Sequence, residues 1–323
     1  MPNRLILALL SLATMSPQIG YAQSTSERVV VSYPSKSITN FPIIETGLRR
    51  GFYQKENLQV NLVYMRGGID IKALLTGDAD FGTGSTTAVT AFVAGAPLRV
   101  VMSMNTFVDQ ALYAQPKYRA LSQLKGLSIG SLNPGGLVDT LLRRVIAIEG
   151  FSPEKDFIIL NMGGTPERYA ALKSGTLAAS MLSAPHSLRA EKEGFTRIAV
   201  TRDYVDVPGT AFVVHADKLK KQPQMVKRFL RASLRAMNYI RDNRADTTQM
   251  IAREFGMEQD IAALAYKVLL ELLSPDGKNR VEGYQLLADF ARAAQKIDRP
   301  ISAAQFVDET ILDEIIREGS IAR

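Results

Sequence analysis

Short β-branched runs alternate with amphipathic stretches of helical length from residue 28 to about residue 215, and this alternation restricts the chain to an α/β fold. RVVVSY (28–33) is one such run, and LQVNLVY (58–64) is another with period-two alternation. Between them, NFPIIETGLRRGFYQKEN offers a cap at Thr39 or Asn40, Pro42 in the first turn, and Ile43, Ile44 and Leu48 at helical spacing. A strand, a crossover helix and a second strand build a parallel sheet, because parallel neighbours need a connection that returns to the same end.

The pattern is written twice. MRGGIDIKALLTGDADFGTGS (65–85) is echoed by NMGGTPERYAALKSGTLAASMLSAP (161–185). Gly67–Gly68 aligns with Gly163–Gly164, Ala73–Leu74 with Ala171–Leu172, and Gly77 with Gly175, while Ser85 falls beside Ser183. A period of about a hundred residues is too long for a solenoid and suits two lobes on one plan.

Beyond TAFVVHADKL the chain turns helical, in stretches such as MVKRFLRASLRAMNYIRDN and DIAALAYKVLLELLS. The expected fold is α/β and two-lobed, each lobe a mixed or parallel sheet flanked by helices, with a helical C-terminal region. Residues 23–112 plus 213–323 form the first lobe and 113–212 the second, with ALYAQ (111–115) and TAFVV (210–214) as a two-segment hinge.

Residues 1–22 differ in kind. Arg4, the apolar run LILALLSLATM and the small residues of GYA read as an export leader cut after Ala22. The run is well short of the ~20 residues that a spanning helix needs. The chain holds no cysteine, so it has neither a disulfide framework nor a thiol to acylate, and a lipoprotein anchor is excluded. A periplasmic destination is expected.

The formal charge of +7 falls by one when Arg4 leaves with the leader, a weak preference for anions. Arg49, Arg50, Arg143, Arg144, Lys220 and Lys221 alternate with acidic residues along helices, as on a solvated face. Without helix-turn-helix, RNA-motif or zinc-finger spacing, no nucleic-acid partner is expected.

In open α/β sheets, ligands bind beyond the carboxyl ends of the strands, where helix N-termini present unpaired N–H groups. The strand-to-helix loops here are PSKSITN, RGG, TGSTT, NPGG, GGT and SAPH, three from each lobe. Ser35, Ser37, Ser85, Thr86, Asn133, Gly135 and Gly136 are the leading ligand-binding candidates, although the same residue types also serve as plain caps and turns. His186 reads equally as a ligand donor or as a partly exposed cap, and His215 as structural. Neither has ligand-spaced partners for a metal. With no G-x-S-x-G, H-E-x-x-H or lysine-bearing phosphate loop, the chain reads as a binding protein without cofactor, not an enzyme.

VSYPSKS, GLRRGFYQKENLQVNLV, ALLTGDADFGTGSTTAVTAFVAGAPLRVV, LSQLKGLSIGSLNPGG and ALKSGTLAASMLSAP together resemble the periplasmic solute-binding proteins of ABC importers of the nitrate, taurine, alkanesulfonate and thiamine-precursor type. The resemblance implies a type II binding-protein fold that closes on a two-stranded hinge over a small organic solute, an anion such as a sulfonate or carboxylate. It implies a monomer that delivers this solute to an inner-membrane permease. It sets Ser35, Ser85, Thr86, Asn133, Gly135, Gly136, Leu137 and Pro185 on cleft-lining loops. Arg66 and Lys36 are candidates to pair with an anionic head, and Tyr33, Phe41 and Leu137 to pack on an apolar body. The alternatives are a ligand sensor for a membrane receptor, an enzyme like those of thiamine-pyrimidine synthesis, and the effector half of a transcription regulator.

Overall fold

The computed structural model describes residues 26–65 and 68–319. The expected leader and Arg66 lie outside them. The chain opens with β1 (Glu27–Tyr33), α1 (Phe41–Arg49), α2 (Phe52–Lys55), β2 (Leu58–Tyr64), α3 (Ile69–Thr76), β3 (Phe81–Gly82), α4 (Ser85–Val93) and β4 (Leu98–Ser103). It continues with β5 (Ala111–Ala114), β6 (Ser128–Ser131), α5 (Leu137–Ile148), β7 (Ile158–Asn161), α6 (Thr165–Lys173), β8 (Ala179–Leu182), α7 (His186–Lys192) and β9 (Thr196–Val200). β10 (Ala211–His215) precedes the helical part, α8 (Ala216–Lys221), α9 (Pro223–Asp242), α10 (Arg244–Phe255), α11 (Gln259–Leu272), α12 (Val281–Gln295) and α13 (Thr310–Arg317). The single helix expected over residues 40–57 is split into α1 and α2 by Gly51, whose φ of 67° a glycine adopts without steric cost.

Two five-stranded mixed sheets result, in the orders β2-β1-β3-β10-β4 and β7-β6-β8-β5-β9. β1 lies parallel to β2 and β3, and β6 parallel to β7 and β8. The reversed strand of each sheet is the one that has just crossed from the other: β5 runs antiparallel to β8 and β9, and β10 antiparallel to β3 and β4. ALYAQ and TAFVV therefore lie largely within these two strands. The connections between the sheets run just ahead of them, at 104–110 and 201–210. Both strands read as hinge candidates because of their position in the chain, yet every residue of β5 is buried, as an interior strand requires.

Where the connections cross, they pair: the Met104 and Asn105 amides donate to Thr210 O (2.9 and 3.2 Å), and the Gly209 amide donates to Asn105 O (3.2 Å). The helical region braces the same place, with Thr106 N donating to Leu272 O (2.8 Å) and Ser274 N to Met104 O (2.9 Å). Among the described residues no helix is long and apolar enough to cross a membrane.

The first lobe is held by an aromatic stack. Phe229 of α9 lies flat on Phe81 (ring centroids 3.8 Å apart) and on Tyr53 (5.1 Å), with Phe212 edge-on at 5.0 Å. Gly47 leaves room for this stack, since a Cβ there would sit 2.4 Å from the Tyr53 ring. On the other side, α12 packs Tyr284, Leu287 and Ala288 into a cluster that also holds Val89 and Val93 of α4 and Leu141 and Val145 of α5, so apolar contact spans both lobes. Replacing Phe229 by Ala empties the centre of the stack and is expected to lower the free energy of unfolding by about 3–5 kcal/mol, read from urea denaturation.

Candidate functional site

The β1–α1, β3–α4, β6–α5 and β7–α6 loops and the two connections meet around a cavity of ≈ 70 Å³ between the lobes. The space is small and suits a compact solute. Its walls combine Pro34, Ser35, Ser37 and Asn40 with Thr83 to Thr87 from the first lobe, and Leu132, Asn133, Gly136, Leu137, Val138, Thr165 and Arg168 from the second. Gln110 and Thr210 of the connections complete it.

Seven of the ten residues singled out in the sequence line this space: Ser35, Ser37, Ser85, Thr86, Asn133, Gly136 and Leu137. Several hydroxyls among them already serve the protein. Ser35 Oγ accepts from Thr165 N at the start of α6 (3.1 Å), a bond across the cleft. Ser37 Oγ bonds Thr39 (2.8 Å) and Asn40 (3.3 Å) and stiffens its own loop. Ser85 Oγ donates to Gly209 O (3.2 Å), tying the start of α4 to a connection. Thr86 and Asn133 are buried against the cavity. Gly136 permits close approach of the lobes, because a Cβ there would stand 3.0 Å from Asn133 O and 3.1 Å from Thr87 Oγ1.

The other three stand off the walls. Gly135 makes the turn before α5 with a φ of 71° and accepts from Thr90 Oγ1 (3.0 Å), a second bond between lobes. Pro185 follows a cis peptide bond at the start of α7. His186 is neither a ligand donor facing the cavity nor a partly exposed cap: it is buried, with its ring 5.5 Å from that of Tyr169 and 6.4 Å from that of Phe255. The reason is packing, since α7 begins where the helical region closes over it. His215, as expected, is structural, and its Nδ1 accepts from Asp217 N (3.2 Å) at the start of α8.

The charged and aromatic candidates also fall elsewhere. Lys36 Nζ donates to Glu254 O (2.7 Å) and Oε2 (3.3 Å) and lies 4.2 Å over the Phe41 ring, so its charge is already answered. Tyr33 and Phe41 belong to a ring cluster with Tyr64 and Phe255, outside the cavity.

Among the described residues the cation at the cavity is Arg168, which the sequence reading missed. It is fully buried. Its Nε donates to Met181 O (2.8 Å), Nη1 to Gly163 O (2.6 Å) and Nη2 to Thr165 Oγ1 (3.1 Å). Three of the five N–H groups that a guanidinium carries are thereby used, all on neutral oxygens. Among the described residues it forms no ion pair, and Glu167, the nearest acidic influence, instead accepts from Tyr64 OH (3.3 Å). Burial lowers its pKa to about 10, so it stays charged at neutral pH. A signal was present: Thr165, Arg168, Tyr169 and Leu172 fall at i, i+3, i+4 and i+7, and all four are buried, so the arginine occupies the core stripe of α6.

Comparison with known proteins agrees with this architecture. The profile of the NMT1-like family matches residues 37–253, and the chain belongs to that family. It is 23% identical to the putative binding protein YtlA of Bacillus subtilis (strain 168) over 308 residues, which is 92% of each chain. In fold it matches a protein of Bordetella bronchiseptica RB50 (TM-score 0.80, 18% identity, 90% of this chain and 98% of that one). It also matches the alkanesulfonate-binding protein SsuA of Xanthomonas axonopodis pv. citri bound to MOPS (TM-score 0.71, 19% identity, 88% and 98%).

The buried histidine yields a test of the packing. Desolvation, with Arg189 and Arg168 nearby, pushes His186 down to about 4. Between about pH 6.5 and 4 the unfolded chain therefore binds a proton that the folded chain refuses, and stability falls as pH falls. Asp70 and Asp109, pushed up to about 6 by burial, act in the opposite sense in an overlapping window, so the comparison must be between variants. Urea denaturation at a series of pH values is expected to show the parent losing up to roughly 3 kcal/mol relative to His186→Gln over that range, with no change in their difference above pH 7.5.

Proposed function

We propose that this protein is the solute-binding component of an ABC-type importer, which captures a compact organic anion between its lobes outside the cytoplasm and hands it to a membrane permease. The observation that carries the reading is Arg168, a buried guanidinium without a carboxylate partner, set in the wall of an interlobe cavity. An uncompensated charge in such a place is costly, and a bound anion removes that cost while excluding water from the pair. The planar fork of the guanidinium suits the oxygens of a carboxylate or sulfonate.

Affinity comes from closure. Groups from both lobes reach the same space, so a solute that fills it favours the closed arrangement, which the permease then reads. Leu132, Leu137 and Val138 supply a short apolar wall that suits a small aliphatic body. The described wall residues present hydroxyls, amides and one guanidinium, groups that can hold an anionic head by hydrogen bonds. The expected leader supports export, and the likeness to YtlA and SsuA supports a solute-binding role.

Isothermal titration with acetate, nitrate, ethanesulfonate, taurine and a neutral thiamine-like pyrimidine tests the reading. At least one small anion is expected to bind and the pyrimidine is not; the reverse result removes the proposal. Arg168→Met is expected to weaken anion binding by roughly a hundredfold or more, with Arg168→Lys recovering only part of it.

A further inference from the structure

We propose that Gly164 is a closure determinant: its missing side chain is what lets the first turn of α6 seat against the first lobe, and it sets solute affinity without being required by the fold. The inference rests on the reading of the protein as a solute clamp. Gly164 stands just before α6 with φ −67° and ψ 178°, extended backbone that any residue adopts. Its neighbour Gly163, at φ 86°, needs to be glycine for the turn itself. The doubled glycine of the second repeat thus divides two tasks, and the one at 164 is not conformational.

What a side chain at 164 would meet belongs largely to the other lobe. A Cβ would stand 3.1 Å from Ser35 Oγ and 3.3 Å from Tyr64 OH, and 2.8 Å from Glu167 Oε2, the far end of a flexible side chain on α6. The same three groups form the seal. Ser35 Oγ takes the Thr165 amide at 3.1 Å, so that a hydroxyl of one lobe caps a helix of the other, and Tyr64 OH donates to Glu167 Oε1 at 3.3 Å. Arg168 follows one turn behind in the same helix, with Nη1 on Gly163 O at 2.6 Å. Anything that props the first turn of α6 away from Ser35 also moves the guanidinium from the cavity. In the first repeat the matching Gly68 has a φ of 81°, a residue demanded by its turn with no Cβ contact within 4 Å. Gly68 therefore does not share the task of Gly164.

The chain has no cysteine, so two introduced ones can be spin-labelled cleanly. Lys72→Cys and Ala170→Cys lie on exposed faces of α3 and α6 in different lobes, and neither touches the cavity. Electron–electron double resonance reads their separation as an equimolar mixture of acetate, nitrate, ethanesulfonate and taurine is added to the whole chain. The parent is expected to shorten this distance. Gly164→Val is expected to shift the midpoint of that titration upward by roughly tenfold or more, and Gly164→Ala by less, while melting temperatures without anions stay together.

Closure of Gly164→Val at the parent's midpoint would overturn the inference and leave the clamp standing. A fall in anion-free melting temperature for both Gly164 variants would overturn it too, because the glycine would then serve the fold. A parent whose distance does not respond to any of the four anions would remove the clamp reading, and this inference with it.

Discussion

Two short backbone connections hold the sheets together, and every contact across the cleft depends on where they cross. Met104 and Asn105 share Thr210 O, Gly209 closes the pair onto Asn105 O, and the residues after α11 add a third segment to the crossing. Gly209 has to be bare there, since a Cβ would fall 2.4 Å from Phe107 O. Because Ser85 Oγ donates to Gly209 O, the start of α4, which walls the cavity, is tied directly to this pivot. A rotation about the connections therefore cannot leave the α4 end of the site unchanged, which is the mechanical condition for closure to report occupancy.

The alternation of strand and helix was legible because interior strands such as β5 and β8 are buried throughout, while helices such as α1, α5 and α9 bury one apolar face. The convergence of loops was legible for a general reason too: strand polarity sets which ends gather. The fate of individual hydroxyls was not. Ser35, Ser37 and Ser85 have the composition of ligand contacts, yet each makes a bond within the protein, and nothing local distinguishes a hydroxyl that meets a solute from one that meets the other lobe. Arg168 was hidden differently: within TPERYAALK a charged residue looks solvated unless the buried stripe of that helix is phased first. His186 shows the converse, a polar residue at a helix start that the distant Phe255 buries.

The electrostatics of the cleft narrow what it can hold. Three helices, α4, α5 and α6, begin at the cavity, and each N-terminus carries about half a positive charge. Two are already answered by the protein. The first turn of α5 contains Asp139, which accepts from Gly135 N (3.0 Å) and Arg143 Nε (2.9 Å), and that of α6 contains Glu167 and is capped by Ser35. The start of α4 has neither a side-chain cap nor an acidic residue in its first turn. Asp70 packs against Gly84 close by, and although burial pushes its carboxyl up to about 6, at neutral pH it still sets negative charge beside that terminus. Among the described residues lining the cavity, what remains for a solute is the charge on Arg168. A single anionic head answers that charge, and among the described residues lining the cavity a second charge on the same solute would meet no further cation.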